Sequence, residues 1–226
     1  MTTPTTLLKV MIDAVRKAAR GLTRDFGEVA ELQVSKKGAG DYVSAADIKA
    51  EQVLFEELMR VRPGYGFIGE ERGLIEGSDK THTWIVDPLD GTTNFLHAIP
   101  HFAVTAALER DGVIVAGVTY NPISNEMFWA EKGKGAYLND KRLRVAARRH
   151  LDETVLATGI PFIGKPGHAV FLKELHQVGR LNIFLKINLI RSYFKIFFPD
   201  FNHINCLNCL NCMKRSRSLS VAEGQR

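Results

Sequence analysis

Two aspartates three residues apart, Asp87 and Asp90, belong to a short segment that is dense in oxygen donors. Between them lies Leu89, whose main-chain carbonyl a turn would expose, and Gly91-Thr92-Thr93 follows directly. Hard cations such as Mg²⁺ bind carboxylate and carbonyl oxygens together with water and substrate phosphate. We interpret the segment as part of a metal and phosphate site. The alternative is an acidic turn that caps a helix and binds nothing, because acids are common in turns.

A strand and a helix start are expected to position these donors. Trp84-Ile85-Val86 is aromatic and β-branched, which predicts a buried strand with Asp87 at its carboxyl end. Pro88 lacks an N–H and fixes φ, so we expect the strand to stop there and turn. Gly91-Thr92-Thr93 then predicts a helix start, where threonine hydroxyls could cap and N–H groups could hold a phosphate oxygen.

Further acids lie upstream of this segment. Ser44 and Asp47 form the Ser-x-x-acid pattern of a capping box before an apolar helix, so Asp47 could be no more than a first-turn acid. Residues 65–68 predict a short strand that leads to Glu70 and Glu71. Because successive side chains of an extended segment face opposite ways, only one of these two glutamates is expected to face the site.

Three segments resemble signatures of the inositol monophosphatase family. Asp87 to Phe95, Asp-Pro-Leu-Asp-Gly-Thr-Thr-Asn-Phe, is similar to the family's first signature, and Gly69-Glu70-Glu71 resembles its glutamate motif. Val43 to Asp47 resembles the family segment whose aspartate pairs with the first threonine of the first signature. The resemblance covers about residues 5 to 181.

The resemblance implies an α/β fold of the layered α+β type, an αβαβα sandwich shared with fructose bisphosphatases and incomplete at the C-terminus. It also implies a Mg²⁺-dependent phosphatase, commonly a homodimer, that hydrolyses inositol monophosphate or a similar sugar or polyol phosphate. A related phosphatase for fructose bisphosphate or a nucleotide 3′-phosphate is an alternative. The sequence does not decide between them, because substrate choice is expected to reside in the C-terminal third.

Site roles are carried over by the same resemblance. The implied metal ligands are all oxygen donors: Glu70, Asp87 and the carbonyl of Leu89 would hold one Mg²⁺, and Asp87 and Asp90 would hold a second. Asp47 and Thr92 would be the catalytic pair that orients and deprotonates the attacking water. Gly91-Thr92-Thr93 would bind the substrate phosphate. Glu70, rather than Glu71, is the implied ligand of the glutamate pair.

The charge distribution argues against a nucleic-acid partner for the body of the chain. The formal net charge is +5. Residues 181–226 hold seven Lys or Arg against two acids, which accounts for the whole excess, so residues 1–180 are neutral. All three cysteines also lie in this last stretch, which favours a reducing, cytoplasmic compartment. The sequence shows no signal peptide and no apolar run of membrane-spanning length.

Periodicity and turn residues predict the remaining elements. Amphipathic spacing predicts a helix over residues 4–24, and Asp111-Gly112 predicts a hairpin within an antiparallel meander of about five strands. The other expected elements are strands at 102–108, 113–120, 127–130, 135–138, 143–145 and 155–159, a helix at 168–181, and loops at 36–41 and 72–82.

Residues 182–226 differ in composition from the body and are treated as a divergent tail. Residues 182–213 carry six Asn, five Ile and five Phe but no Gly or Ala. Three interpretations are open: a basic surface helix over 183–198, a divergent third layer, or a segment unrelated to the fold, whether frame-shifted or disordered. Cys206, Cys209 and Cys212 form a repeat that lacks a fourth cysteine for a metal site.

The tail also opens a functional alternative of a different class. No Trp follows Trp129, so the family's later Trp-Asp motif, whose aspartate completes the second metal site, is not found. On this interpretation the chain is a truncated, catalytically deficient member with a binding or regulatory role. Analogy with bacterial relatives would make the transcription machinery its partner.

Overall fold

A computed structural model of the protein describes residues 3–27, 34–37, 41–145, 147, 155–158, 167–179 and 184–187. The chain divides into two units, Met1–Ala147 and Arg148–Arg226. No helix within the described ranges is long and apolar enough to cross a membrane.

Two sheets lie in the first unit. The smaller pairs β1 (Val34–Lys37) antiparallel with β2 (Asp41–Ser44). Lys36, Lys37 and Asp41, expected in a loop, therefore belong to strands. The larger sheet has eight strands: β3 (Gly66–Gly69), β4 (Gly73–Ile75), β5 (His82–Asp90), β6 (Ala103–Arg110), β7 (Val113–Asn121), β8 (Glu126–Glu131), β9 (Gly135–Leu138) and β10 (Lys141–Arg142). Their spatial order is β10-β9-β8-β7-β6-β5-β3-β4. All neighbours are antiparallel except β3 and β5, which are parallel.

Helices cover one face of the large sheet. The predicted amphipathic helix is confirmed as α1 (Thr6–Phe26), and α2 (Ala45–Val61) follows β2 directly. The side chain of Thr5 caps α1 by accepting from the N–H of Leu8. The apolar stripes of both helices belong to one buried core together with Trp84 and Val86 of β5. Each fully buried Leu or Met there stabilises the fold by about 1.5–3 kcal/mol.

Strand β5 continues through Pro88, so the prediction that it stops there is wrong. Asp87 pairs with Thr105 of β6, but the next recorded pair is Asp90 with Ala103. Three steps along β5 thus match two steps along β6, which is a β-bulge. A bulge leaves one residue out of the ladder and therefore tolerates the missing N–H of proline.

The antiparallel meander is confirmed by the succession from β5 to β10. Its first turn is the predicted one: Asp111 and Gly112 have φ of 50° and 79°, as a tight hairpin turn with two left-handed residues requires. Asn139, with φ of 50°, lies in the turn between β9 and β10.

Two predictions within the sheet are wrong. Residues 72–82 are not all loop, because Gly73 at φ 69° lets the chain reverse into β4, where Ile75 pairs with Phe67. The strand expected at 143–145 lies instead at 141–142, as β10, because the turn at Asn139 aligns Leu138 directly with Lys141.

The described part of the second unit is a β-α-β segment. The predicted strand and helix are confirmed as β11 (Val155–Thr158) and α4 (His168–Gly179), and β11 pairs in parallel with β12 (Phe184–Ile187). A helical connection is the usual link between parallel strands. Because Phe184–Ile187 form a strand, the interpretation of residues 183–198 as one helix is wrong. The other tail residues, including the three cysteines, lie outside the described residues.

Candidate metal and phosphate site

The bulge in β5 brings Asp87 and Asp90 to the same face of the sheet. In a regular strand, side chains three residues apart point to opposite faces. Thr105 and Ala103, their partners on β6, are two residues apart and so share a face. Because the bulge adds one residue to β5, both aspartates also share that face. Asp87 is half-buried, while Asp90 is only 6% exposed.

Glu70 follows the strand that lies beside β5. Strand β3 runs parallel to β5, with Ile68 opposite Ile85. Glu70 and Asp87 each lie two residues beyond these partners, Glu70 just past the end of β3 and Asp87 within β5, so they occupy matching positions on neighbouring strands. Glu70 is exposed and Glu71 is half-buried. Glu70, Asp87 and Asp90, three of the carboxylates that the sequence singled out, therefore belong to two neighbouring segments of the sheet.

Thr92 makes a different contact from the expected helix cap. Its hydroxyl donates to the main-chain carbonyl of Leu89 at 2.9 Å. The residue at the cap position of α3 (Thr92–Leu96) is Gly91, and no side chain caps this helix. A carbonyl oxygen has two lone pairs, so Leu89 keeps one for a second partner. The Thr92 oxygen, having used its proton, remains an acceptor.

Gly91 is required by its conformation and by its neighbours. Its φ is 93°, and a Cβ placed on it would lie 3.0 Å from the carbonyl oxygen of His101. The short helix that follows is held by the ring of Phe95, which lies 5.0 Å from Phe102 and 5.7 Å from Phe26. Asn94, 1% exposed, donates through Nδ2 to the same His101 carbonyl at 2.7 Å. These contacts fix the backbone that carries Thr92.

Asp47 lies in the first turn of α2 and is 2% exposed. A first-turn acid that only caps a helix usually stays solvated, so this burial favours a specific role over the simple cap. Strand β2 ends immediately before α2, and α3 also contacts β2. The helix start with Asp47 and the helix with Thr92 therefore adjoin the same strand.

Glu51, a fully buried acid on α2, is not among the residues that the sequence motifs single out. Its carboxylate accepts the backbone N–H of Glu71 at 2.7 Å and of Arg72 at 2.9 Å, just past Glu70. A signal for it existed: Glu51 falls three residues before Leu54 and seven before Leu58, on the apolar face of the helix. An acid at such a position needs buried partners.

The donor set suits a hard cation. Its members are carboxylates and a carbonyl on β5 and just after β3, and oxygen ligands of this kind are what Mg²⁺ prefers. Among the described residues, no three His, Cys, Asp or Glu side chains already converge into a cluster that could hold a metal ion. The fit therefore rests on the chemistry of the donors and on the shared face of Asp87 and Asp90.

Known proteins match this chain over most of its length. The family model described as "Inositol monophosphatase family" matches residues 3–188. An inositol-1-monophosphatase of Caulobacter vibrioides is 77% identical over 172 residues, which are 75% of this chain and 67% of that protein. Nus factor SuhB of Escherichia coli is 41% identical over 159 residues, 70% of this chain and 60% of that protein. The matched segment is thus about two thirds of the length of these relatives, or less.

Solved structures agree with the fold. The extragenic suppressor protein SuhB of Bartonella henselae has 51% sequence identity and a TM-score of 0.81, covering 85% of this chain and 74% of its own. The Thermotoga maritima IMPase has 29% identity and a TM-score of 0.70, covering 80% and 67%. The layered α+β architecture expected from the sequence is therefore confirmed.

Proposed function

Because the chain belongs to the inositol monophosphatase family, we propose that it is a Mg²⁺-dependent phosphomonoesterase. Its substrate is inositol monophosphate or a similar sugar or polyol phosphate. The observation that carries this proposal is the bulge in β5, which turns Asp87 and Asp90 to one face beside the end of β3. Two carboxylates on one face supply the negative charge that a divalent cation needs.

Each candidate residue has a stated part in the proposed site. Mg²⁺ would be held by oxygen donors: Glu70, Asp87 and the carbonyl of Leu89 for one ion, and Asp87 and Asp90 for a second. Mg²⁺, when bound, supplies positive charge that offsets the charge of the phosphate and makes a water molecule more acidic. The N–H groups of Gly91-Thr92-Thr93 would contact the phosphate oxygens.

The chain's own residues would direct the attacking water. The Thr92 hydroxyl donates to Leu89, so its oxygen accepts a hydrogen bond from the water and orients it. Asp47 takes the proton that the water loses. The water oxygen attacks phosphorus in line as the bond to the alcohol oxygen breaks, and the leaving alcohol takes up a proton. No covalent intermediate with the protein is needed.

The test is Mg²⁺-dependent release of phosphate from inositol monophosphate. Asp90→Asn should lower the rate by about 100-fold, because removing a group that stabilises transition-state charge has effects of that order. Asp140→Asn, an equivalent change at an exposed turn, should leave the rate unchanged. If the wild type releases no more phosphate than Asp90→Asn at saturating Mg²⁺, the proposed activity is wrong.

A second candidate function is a binding role with the transcription machinery. It is favoured by the relatives named Nus factor SuhB, which are 40–42% identical to this chain. Such a role needs a folded surface rather than turnover. Purified chain should then bind purified bacterial RNA polymerase equally well as wild type and as Asp90→Asn. The absence of binding by either protein would exclude this role.

The proposal also covers the domain organisation, the oligomeric state and the cellular location of the protein. Residues 1–181 would form the family-like body and residues 182–226 the divergent tail, and the active protein would be a cytoplasmic homodimer. Size-exclusion chromatography with light scattering checks the dimer. A mass of about 25.2 kDa, that of one chain, would contradict it.

A further inference from the structure

The backbone just after Glu70 is held by a buried carboxylate from another element. Glu51 of α2 is 0% exposed, and its two oxygens accept from consecutive amides, those of Glu71 and Arg72, at 2.7 and 2.9 Å. The two residues lie 20 and 21 positions further along the chain. This contact therefore joins the helix that carries Asp47 to the segment that carries Glu70.

The charge of Glu51 is balanced where it lies. Arg72 places Nε 3.6 Å from Oε1 of Glu51, and its guanidinium packs over the ring of Phe55, 4.7 Å from the centroid. A buried carboxylate is costly unless it is paired and accepts hydrogen bonds. The amides of Glu71 and Arg72 and the guanidinium of Arg72 supply the hydrogen bonds and the positive charge that the Glu51 carboxylate needs.

Gly69 leaves the room that this arrangement needs. A Cβ on Gly69 would lie 2.5 Å from Oε2 and 2.9 Å from Oε1 of Glu51. The last residue of β3 is thus a glycine because the carboxylate passes directly against its backbone. Glu70 follows at once, with its own side chain exposed. The position of Glu70 is therefore set by contacts on both sides of it, at Gly69 and at Glu71.

We propose that Glu51 is a positioning residue that holds Glu70 for metal binding. The inference rests on the proposed function, since it requires Glu70 to be a metal ligand. A ligand on an exposed turn binds a small, geometrically demanding ion such as Mg²⁺ weakly unless its backbone is fixed. Groups that orient metal ligands typically change metal affinity 10- to 100-fold when they are removed.

The test compares Mg²⁺ affinity, measured by calorimetry on the full chain, for Glu51→Gln and Glu56→Gln. Both changes remove one carboxylate charge from α2, but Glu56 is exposed. Glu51→Gln replaces an acceptor oxygen by an NH₂ group facing a backbone N–H, so we expect an affinity loss of about 10- to 100-fold. Amide hydrogen exchange at Glu71 and Arg72 should accelerate in the same variant. Glu56→Gln should match the wild type in both measurements.

A double-mutant cycle separates positioning from a general loss of stability. In a Glu70→Gln background, Glu51→Gln should cost no further Mg²⁺ affinity, because the ligand through which it acts is already gone. If Glu51→Gln does not fold, Gly69→Ala displaces the same carboxylate without removing it and should also weaken Mg²⁺ binding.

The outcomes distinguish the two proposals. If the wild type binds Mg²⁺ and Glu51→Gln or folded Gly69→Ala binds it with the same affinity, the positioning role is overturned. The proposed function is then left standing. The positioning role is also overturned if Glu51→Gln lowers Mg²⁺ affinity as much in the Glu70→Gln background as in the wild type. A wild type that binds no Mg²⁺ overturns the proposed function itself and, with it, the premise of this inference.

Discussion

The two ends of β5 differ in how their polar groups are satisfied. At the amino end, Asp79 accepts from the hydroxyl of Thr81 at 2.6 Å and from its N–H at 2.8 Å, and lies 2.9 Å from Nδ1 of His82. All these partners lie within three residues. At the carboxyl end, Asp90 is buried, and its backbone is set by a bulge against β6 and by contacts of Gly91 with His101.

The difference shows where this fold departs from regular structure. At the amino end, the carboxylate of Asp79 is satisfied within a local turn, by groups two and three residues further along the chain. The carboxyl end uses an extra residue, a left-handed glycine and a hydroxyl turned back to a carbonyl, and these are held by residues distant along the chain. Such irregular backbone persists only where the surroundings enforce it, and it is commonly found at functional sites.

The largest expected difference in stability is between two glycines with positive φ. Gly91→Ala should destabilise the protein by about 3 kcal/mol, since a left-handed alanine is strained and its Cβ would press on His101. Gly112→Ala, in the turn that adjoins the amino end, should cost about 1 kcal/mol, because no atom of the described residues lies within 4 Å of its added Cβ. Urea unfolding measures both. Equal losses would show that the carboxyl end is no more constrained than the hairpin.

Variants of Thr92 and Thr81 test whether the two ends of β5 differ in their contribution to catalysis. Thr92→Val removes the hydroxyl that donates to Leu89 and should lower kcat by about 100-fold, the scale of a lost group that positions a proton transfer. Thr81→Val removes a hydroxyl at the exposed end and should leave kcat unchanged. The check is the steady-state rate of phosphate release by both folded variants. Wild-type kcat in Thr92→Val would exclude its role with the water.

The smallest expected effect is a change in the pKa of Asp79, which lies just before the amino end of β5. Hydrogen bonds from the Thr81 hydroxyl and N–H, with a smaller effect of His82, lower the pKa of Asp79 from 3.8 to about 2. Because the folded pKa lies below the unfolded one, this contribution to stability is present above pH 3.8 and is lost as the pH falls through about 2. Thr81→Val should raise the pKa of Asp79, as an NMR titration of its carboxyl carbon can measure. An unchanged pKa would contradict the assigned cause.

Sequence patterns were informative wherever structure depends on neighbouring residues. Asp111-Gly112 predicts its hairpin because a tight turn needs left-handed residues at those two positions. The spacing of apolar residues predicts α1 because a helix buries one stripe. The chemical types of Asp87 and Asp90 indicate oxygen ligands without any knowledge of the backbone between them.

The remaining features depend on partners distant in sequence. Pro88 indicates a strand end when considered alone, and only the pairing of β5 with β6 accommodates it in a bulge. Glu51 is one more acid in a helix until the amides of Glu71 and Arg72 are placed beside it. Thr92 resembles a cap residue, but Gly91 takes that position and leaves the hydroxyl for Leu89.

The most direct test of the account is whether Asp87 and Asp90 bind the same ion. Mg²⁺ calorimetry on Asp87→Asn, Asp90→Asn and the double variant forms a complete cycle. We expect each single change to lower Mg²⁺ affinity by about 10-fold or more. The double change should cost clearly less than the sum of the two, because ligands of one ion are coupled. Additive losses, or wild-type affinity in either single variant, would contradict the shared site that the bulge creates.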